Sequence, residues 1–206
     1  MGLTDLTVKE YVERLAEGTP SPGGGSVCAL VCGLSAALCL MAARLTLGRE
    51  KYSDAWSVME ELSSSMESLL SQALELAGQD AEAYEGLLSA YRMEREDKTR
   101  AQSIEAAMKQ AALIPMETLR TLAAITERIG EVIEKGNQNC LCDAGVSVQL
   151  IRAAARGTVN NIRANLSKLE DKNFVSRMQS EMSALANNIE QATGRFEAFI
   201  ELLLSS

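Results

Sequence analysis

Three polar residues stand where helical periodicity asks for apolar ones. Over residues 54–93, Leu62, Met66, Leu69, Ala73, Leu76, Tyr84, Leu87 and Tyr91 recur at steps of three and four, and Asp80 fills the step between Leu76 and Tyr84. A carboxylate facing a helical interior is costly unless paired, hydrated or protonated. Burial also raises its pKa towards the range of a general acid or base. The alternative is a structural carboxylate bonded to a neighbouring helix. A second stripe, through Val146, Leu150, Ala154, Gly157, Asn161 and Asn165, ends in two amides one turn apart. Gly157 just before them permits a close approach to the backbone. The two amides either clasp another helix or face a ligand.

Thr19-Pro20-Ser21-Pro22-Gly23-Gly24-Gly25-Ser26 leads into an apolar helix and is a candidate anion cradle, because free amides and the helix dipole point out of a helix start. No Lys-Ser or Lys-Thr follows at P-loop spacing. At the far end of that helix, Arg44, Arg49 and Lys51 suit the negative pole of the dipole. Arg152, Arg156 and Arg163 share a face read as solvated or as a subunit contact. Cys28, Cys32 and Cys39 lie in line but lack a fourth ligand, which favours a core reading over a metal site. Cys140 and Cys142 have no second pair at zinc spacing.

The chain of 206 residues contains no His, which excludes Ser-His-Asp and Cys-His nucleophile pairs, HExxH zinc sites and histidine acid–base catalysis. Its net charge of -8 gives no basic footprint for nucleic acid. Five cysteines with no secretory leader at Met1 point to reduced thiols and a cytoplasmic protein.

These residues need helices to position them. Thr7 and Glu10 form a capping box for a first helix over 7–17, with Gly18 as its left-handed stop. A second helix covers 26–47. Residues 18–43 carry no charge, so a membrane span has to be weighed. The preceding loop, the Gly/Ala content and the long amphipathic segments elsewhere favour instead a central buried helix that offers an apolar surface all round. Further helices are predicted over 54–93, 99–134 with Pro115 as a kink, 143–169 with Asp143 as N-cap, and 173–204. No segment alternates with period two. The fold class is all-α: one domain over 1–206, with about six long, mostly antiparallel helices around a central apolar one.

In this order the 19–26 loop, Gly48-Arg49-x-Lys51-Tyr52, Asp80-Ala81-Glu82-Ala83-Tyr84, and the block from Gly136-Asn137 to Asp143 and on through Gly157, Asn161 and Asn165-Leu166 resemble the cyclodeaminase/cyclohydrolase family. That family comprises the cyclodeaminase domain of formiminotransferase-cyclodeaminase and the free-standing methenyltetrahydrofolate cyclohydrolases. The resemblance implies an all-α homodimer with a folate site near the subunit contact and no metal or organic cofactor. The family's cyclodeaminase aspartate falls on Asp80. Gly23, Gly24, Gly25, Ser26, Asn137, Asp143, Asn161 and Asn165 fall on other motif positions, and Arg49, Lys51 and Tyr84 lie within the matching blocks. Cys142 stands where relatives often carry Ser, and Ala164 where a larger apolar residue is usual.

Two reactions are implied: hydrolysis of 5,10-methenyltetrahydrofolate to 10-formyltetrahydrofolate, and closure of 5-formiminotetrahydrofolate to the methenyl compound with release of ammonia. Asp80 is the expected proton shuttle. Asn161 and Asn165 are expected to hold the pterin edge, and Lys51 or Arg49 the glutamyl tail. A chain without a formiminotransferase domain favours the cyclohydrolase. The rival from another class is a non-catalytic helical scaffold.

Overall fold

A computed structural model describes residues 2–205, and among them every regular element is helical. The long elements are α1 (Val8–Ala16), α2 (Gly24–Arg44), α3 (Trp56–Arg92), α4 (Arg100–Lys135), α5 (Leu141–Leu166) and α6 (Lys172–Leu204). Short 3-10 turns over Leu3–Asp5, Glu50–Ala55 and Gln138–Cys140 precede α1, α3 and α5. The capping box forms as the sequence predicts: Glu10 N–H donates to Thr7 Oγ1 at 3.2 Å, and Thr7 N–H to Glu10 at 2.8 Å. Gly18 and Gly48 both take φ of 75°, the left-handed geometry that ends a helix cheaply only at glycine.

The core lies between α2, α3, α4, α5 and α6. Met59, Leu62 and Met66 of α3, Leu119, Leu122 and Ile125 of α4, and Ile151 and Ile162 of α5 all belong to this one core and are fully buried. The inner face of α2 is built from small residues (Ala29, Cys32, Ala36, Cys39 and Ala43), which lets α3 and α5 pack close. Burial pushes the Cys32 and Cys39 thiols up to about 12, as befits core sulfurs.

Two predictions about packing are corrected. First, α2 is covered on three sides only, by α3, α5 and part of α4, while α4 is the helix that touches α2, α3, α5 and α6. The remaining face of α2 carries Val27, Leu30, Leu34, Leu38, Met41 and Leu45, and Leu34 is 50% exposed. α2 is long and apolar enough to cross a membrane, but more than half of its apolar window is buried in the bundle. Second, the inner stripe of α5 runs through Ala144, Val148, Ile151, Ala155, Thr158 and Ile162. Val146, predicted inward, is 51% exposed.

Arg152 and Arg156 are not free on the surface. Both hold Glu190 of α6, and Arg152 also reaches Glu197, so this face of α5 clamps a neighbouring helix. Lys109 and Asp171 tie α4 to the start of α6 in the same way, at 2.7 Å.

Candidate active site

One end of the bundle holds a polar cavity of about 170 Å³, lined by Pro20, Ser21 and Gly23 to Gly25 before and at the start of α2, by Asp80, Ala83, Tyr84 and Leu87 of α3, by Ala111 of α4, and by Asn161 and Asn165 of α5. Seven residues singled out by sequence converge there from three elements: Gly23, Gly24, Gly25, Asp80, Tyr84, Asn161 and Asn165.

Asp80 is the centre of this arrangement. The N-cap of α2 is Gly23, which has no side chain to bond the orphan amides of the first turn. The Asp80 carboxylate, reaching across from α3, lies against this first turn and faces the Ser26 backbone N–H, which pulls its pKa down. That is the amide an N-cap side chain would normally take. A Cβ built on Gly25 would overlap Asp80 Oδ1, and one on Gly24 would sit 3.8 Å from the Asn161 amide. Gly25 therefore admits the α3 carboxylate to the start of α2, whereas a Cβ on Gly24 would make only ordinary contact with Asn161. The anion received by this helix start is the protein's own.

Desolvation pushes the Asp80 pKa above the ordinary aspartate value, against the pull of the Ser26 amide. No cation lines the cavity, and Asp80 makes no ion pair among the described residues. The carboxylate is left half-buried, oriented and without a counter-ion. Ser26 lies just beneath: its hydroxyl donates to Gly23 C=O at 3.0 Å and accepts from Tyr11 OH at 3.5 Å, tying α1 to the loop. Cys28 stands one turn further in, its Sγ only 2.7 Å from where a Cβ on Gly157 would lie. Burial raises its thiol pKa, and the nearby Asp80 charge adds to the effect.

The two asparagines differ. Asn165 Nδ2 donates to Ala111 C=O at 2.7 Å, so the clasp read from the sequence is real at this position. Asn161 has no hydrogen-bond partner among the described residues, and it is part-exposed in the cavity lining.

Arg49, Lys51, Asn137 and Asp143 lie at the other end of α2, a helix of 21 residues and hence about 30 Å away along its axis. Asn137 is 3% exposed and committed to the protein: its backbone N–H donates to Thr46 Oγ1 at 2.9 Å, and its Nδ2 to Leu45 C=O at 3.1 Å. It clasps the open end of α2. Asp143 is not an N-cap, because α5 begins at Leu141 with Cys140 in that place. It sits in the first turn, where a carboxylate still favours the dipole. Arg49 and Lys51 are exposed, and Lys51 stands 5.3 Å over the Tyr52 ring. The sequence reading missed Ala111, Ala83 and Leu87. Ala111 had a usable signal, since Pro115 four residues on cannot supply its carbonyl with a donor.

Helices of this length, carrying a glycine-started apolar helix and an opposed half-buried carboxylate, define a class. Residues 7–184 match the family described as formiminotransferase-cyclodeaminase, and the chain belongs to that family. Among its relatives is the methenyltetrahydrofolate cyclohydrolase of Methylorubrum extorquens, 30% identical over 183 residues that cover 87% of this chain and 88% of that one. The formimidoyltransferase-cyclodeaminase of Rattus norvegicus is 27% identical over 187 residues, and there the match spans only 35% of the relative's length. The crystal structure of the formiminotetrahydrofolate cyclodeaminase of Thermotoga maritima superimposes with a TM-score of 0.91 at 28% identity, covering 98% of this chain and 99% of that one.

Proposed function

We propose that this protein acts on the one-carbon bridge of a tetrahydrofolate, hydrolysing 5,10-methenyltetrahydrofolate to 10-formyltetrahydrofolate. The observation that carries the reading is Asp80, an oriented and partly desolvated carboxylate facing a cavity without a cation. The methenyl carbon belongs to an amidinium cation. It suits such a carboxylate electrostatically and is already electrophilic, so the chemistry calls for no metal or organic cofactor.

Water attacks the bridge carbon and passes one proton to Asp80, forming a C–O bond. Asp80 then returns that proton to N5 as the N5–C bond breaks, and the hydroxyl proton leaves to solvent as the formyl C=O forms. A carboxylate with a raised pKa suits both halves of this exchange. Asn161 and Asn165 border the same space and supply polar contacts for the pterin edge.

The Thermotoga maritima neighbour favours a second reading, cyclodeamination. There N10 attacks the carbon of the protonated formimino group, and Asp80 carries the N10 proton to the departing NH2, which leaves as ammonia as the methenyl cation forms. Chain length does not separate the two, because the cyclohydrolase relative and the cyclodeaminase neighbour are both matched over nearly their whole length. The test is loss of methenyltetrahydrofolate absorbance above the uncatalysed rate, run beside ammonia release from formiminotetrahydrofolate. Methenyl loss without ammonia supports hydrolysis, ammonia supports cyclodeamination, and neither leaves the scaffold.

The reading also calls for a second copy of the chain. A cavity of about 170 Å³ is below the roughly 300 Å³ at which pockets for whole small molecules begin, so most of a folate must lie outside it. Besides the open apolar face of α2, α1 exposes Val8, Val12 and Leu15, of which Val8 is 83% exposed. Two copies packed antiparallel along α2 bury both faces and carry the partner's Arg49 and Lys51 to the cavity mouth. There they meet the glutamyl carboxylates and offset Asp80, Glu82 and Glu85 on the adjoining stretch of α3.

A further inference from the structure

Pro115 lies inside α4. Having no N–H, it leaves the C=O of Ala111, four residues earlier, without its helical donor, and its ring pushes that carbonyl off the helix axis. The donor that arrives instead is Asn165 Nδ2 of α5, at 2.7 Å. A carbonyl can only accept, so the amide group facing it must be the NH2, and this fixes the orientation of the Asn165 side chain. Asn165 Oδ1 then points away from Ala111. It takes no hydrogen bond from the protein and is not enclosed. Asn161, one turn earlier, has no such tether.

We infer that Pro115 is a positioning residue for the site: by orphaning Ala111 C=O it locks Asn165 with Oδ1 as a fixed acceptor in the cavity, where it receives an N–H of the substrate. This rests on the folate reading, in which the pterin amino and ring N–H groups are the donors to be read. Asn161 adapts to whatever is presented, and Asn165 does not.

Pro115→Ala is the informative variant. It returns a backbone N–H that competes with Asn165 for the Ala111 carbonyl and draws that carbonyl back towards the helix axis, so α4 gains a helical hydrogen bond and the Asn165 tether is weakened. The expected result is a melting temperature equal to or above that of the wild type, together with a KM for the folate raised about tenfold and kcat changed less than about twofold. Asn165→Ala should raise KM by a similar factor, and the double variant by no more than either alone, since both remove one fixed acceptor. An unchanged KM in Pro115→Ala, or KM effects that multiply in the double variant, overturns the proposal.

The side-chain NH2 signals of Asn165 provide a readout that needs no turnover. They should be protected from solvent exchange in the wild type and exposed in Pro115→Ala. Equal protection in the two proteins also overturns the proposal. A wild-type protein inactive on both folates would sink the functional reading, while the NMR comparison would still decide whether Pro115 holds Asn165.

Discussion

Gly25 and Asp80 exclude each other's side-chain space: the position a Cβ on Gly25 would occupy is already filled by Asp80 Oδ1. The glycine is needed for what another helix places against it, since its own backbone is ordinary helix. Gly25→Ala should therefore displace the carboxylate and lower kcat by about 10²- to 10⁴-fold, the range for a lost acid–base group. Helical circular dichroism should stay at the wild-type level. Near-normal turnover by a folded Gly25→Ala protein would show that Asp80 is not placed for chemistry.

Asp80 should trade stability against activity. Its folded pKa lies above its unfolded value, so the native state holds the extra proton, and the stability linked to this group falls as pH rises through that window. Replacing it with neutral Asn removes the cost of a desolvated charge. Asp80→Asn should accordingly melt above the wild type at pH 7, with the gap closing as pH falls towards the ordinary aspartate value of 3.8. In the wild type the same ionisation should set the acid limb of kcat/KM, with activity lost as Asp80 protonates. A lower melting temperature for Asp80→Asn at pH 7 would contradict this.

Gly157 and Cys28 offer a test in which a sign reverses. Gly157→Ala brings a Cβ to 2.7 Å from Cys28 Sγ, at a cost of about 1–3 kcal/mol for overpacking. That outweighs the roughly 1 kcal/mol gained when glycine leaves a helix interior. In a Cys28→Ala background the sulfur is gone and only the gain remains. Chemical denaturation should show Gly157→Ala destabilising the wild type and stabilising the Cys28→Ala protein.

Completion of the site by a second copy predicts complementation. Asp80→Asn and the paired Arg49→Ala/Lys51→Ala variant should each be nearly inactive at low substrate. After subunit exchange the mixture should recover about a quarter of the intact sites, because half the dimers are mixed and each of these keeps one unaltered site. If both sets of residues served the same protomer's site, mixing would restore nothing.

Asp80 is legible in the sequence because α3 is long and regular, and one carboxylate in an otherwise apolar stripe breaks a pattern set by many residues. The glycine loop is legible as a helix start, but its role is not. Nothing local says that the anion it receives comes from a helix more than fifty residues later. Asn161 and Asn165 are found for a partly mistaken reason, since the stripe used to find them includes the exposed Val146. α5 is alanine-rich on several faces, so hydropathy defines its inner side poorly. Asn137 carries a structural role that its motif position does not reveal: its hydrogen bonds close the end of α2, a contact between residues about ninety positions apart. α2 misleads in a different way: an apolar surface all round reads as full enclosure, yet one side is left open.

Because Asp80 stands in for the missing side chain at the start of α2, proton transfer and backbone order are joined there. Protonation of the carboxylate removes the negative charge that faces the Ser26 amide at the start of α2. Three successive glycines make that turn the part of the helix most easily loosened. In the proposed reaction, the charge at the mouth of the cavity therefore alternates once per turnover, and the helix start that faces it alternates between a charged and a neutral neighbour.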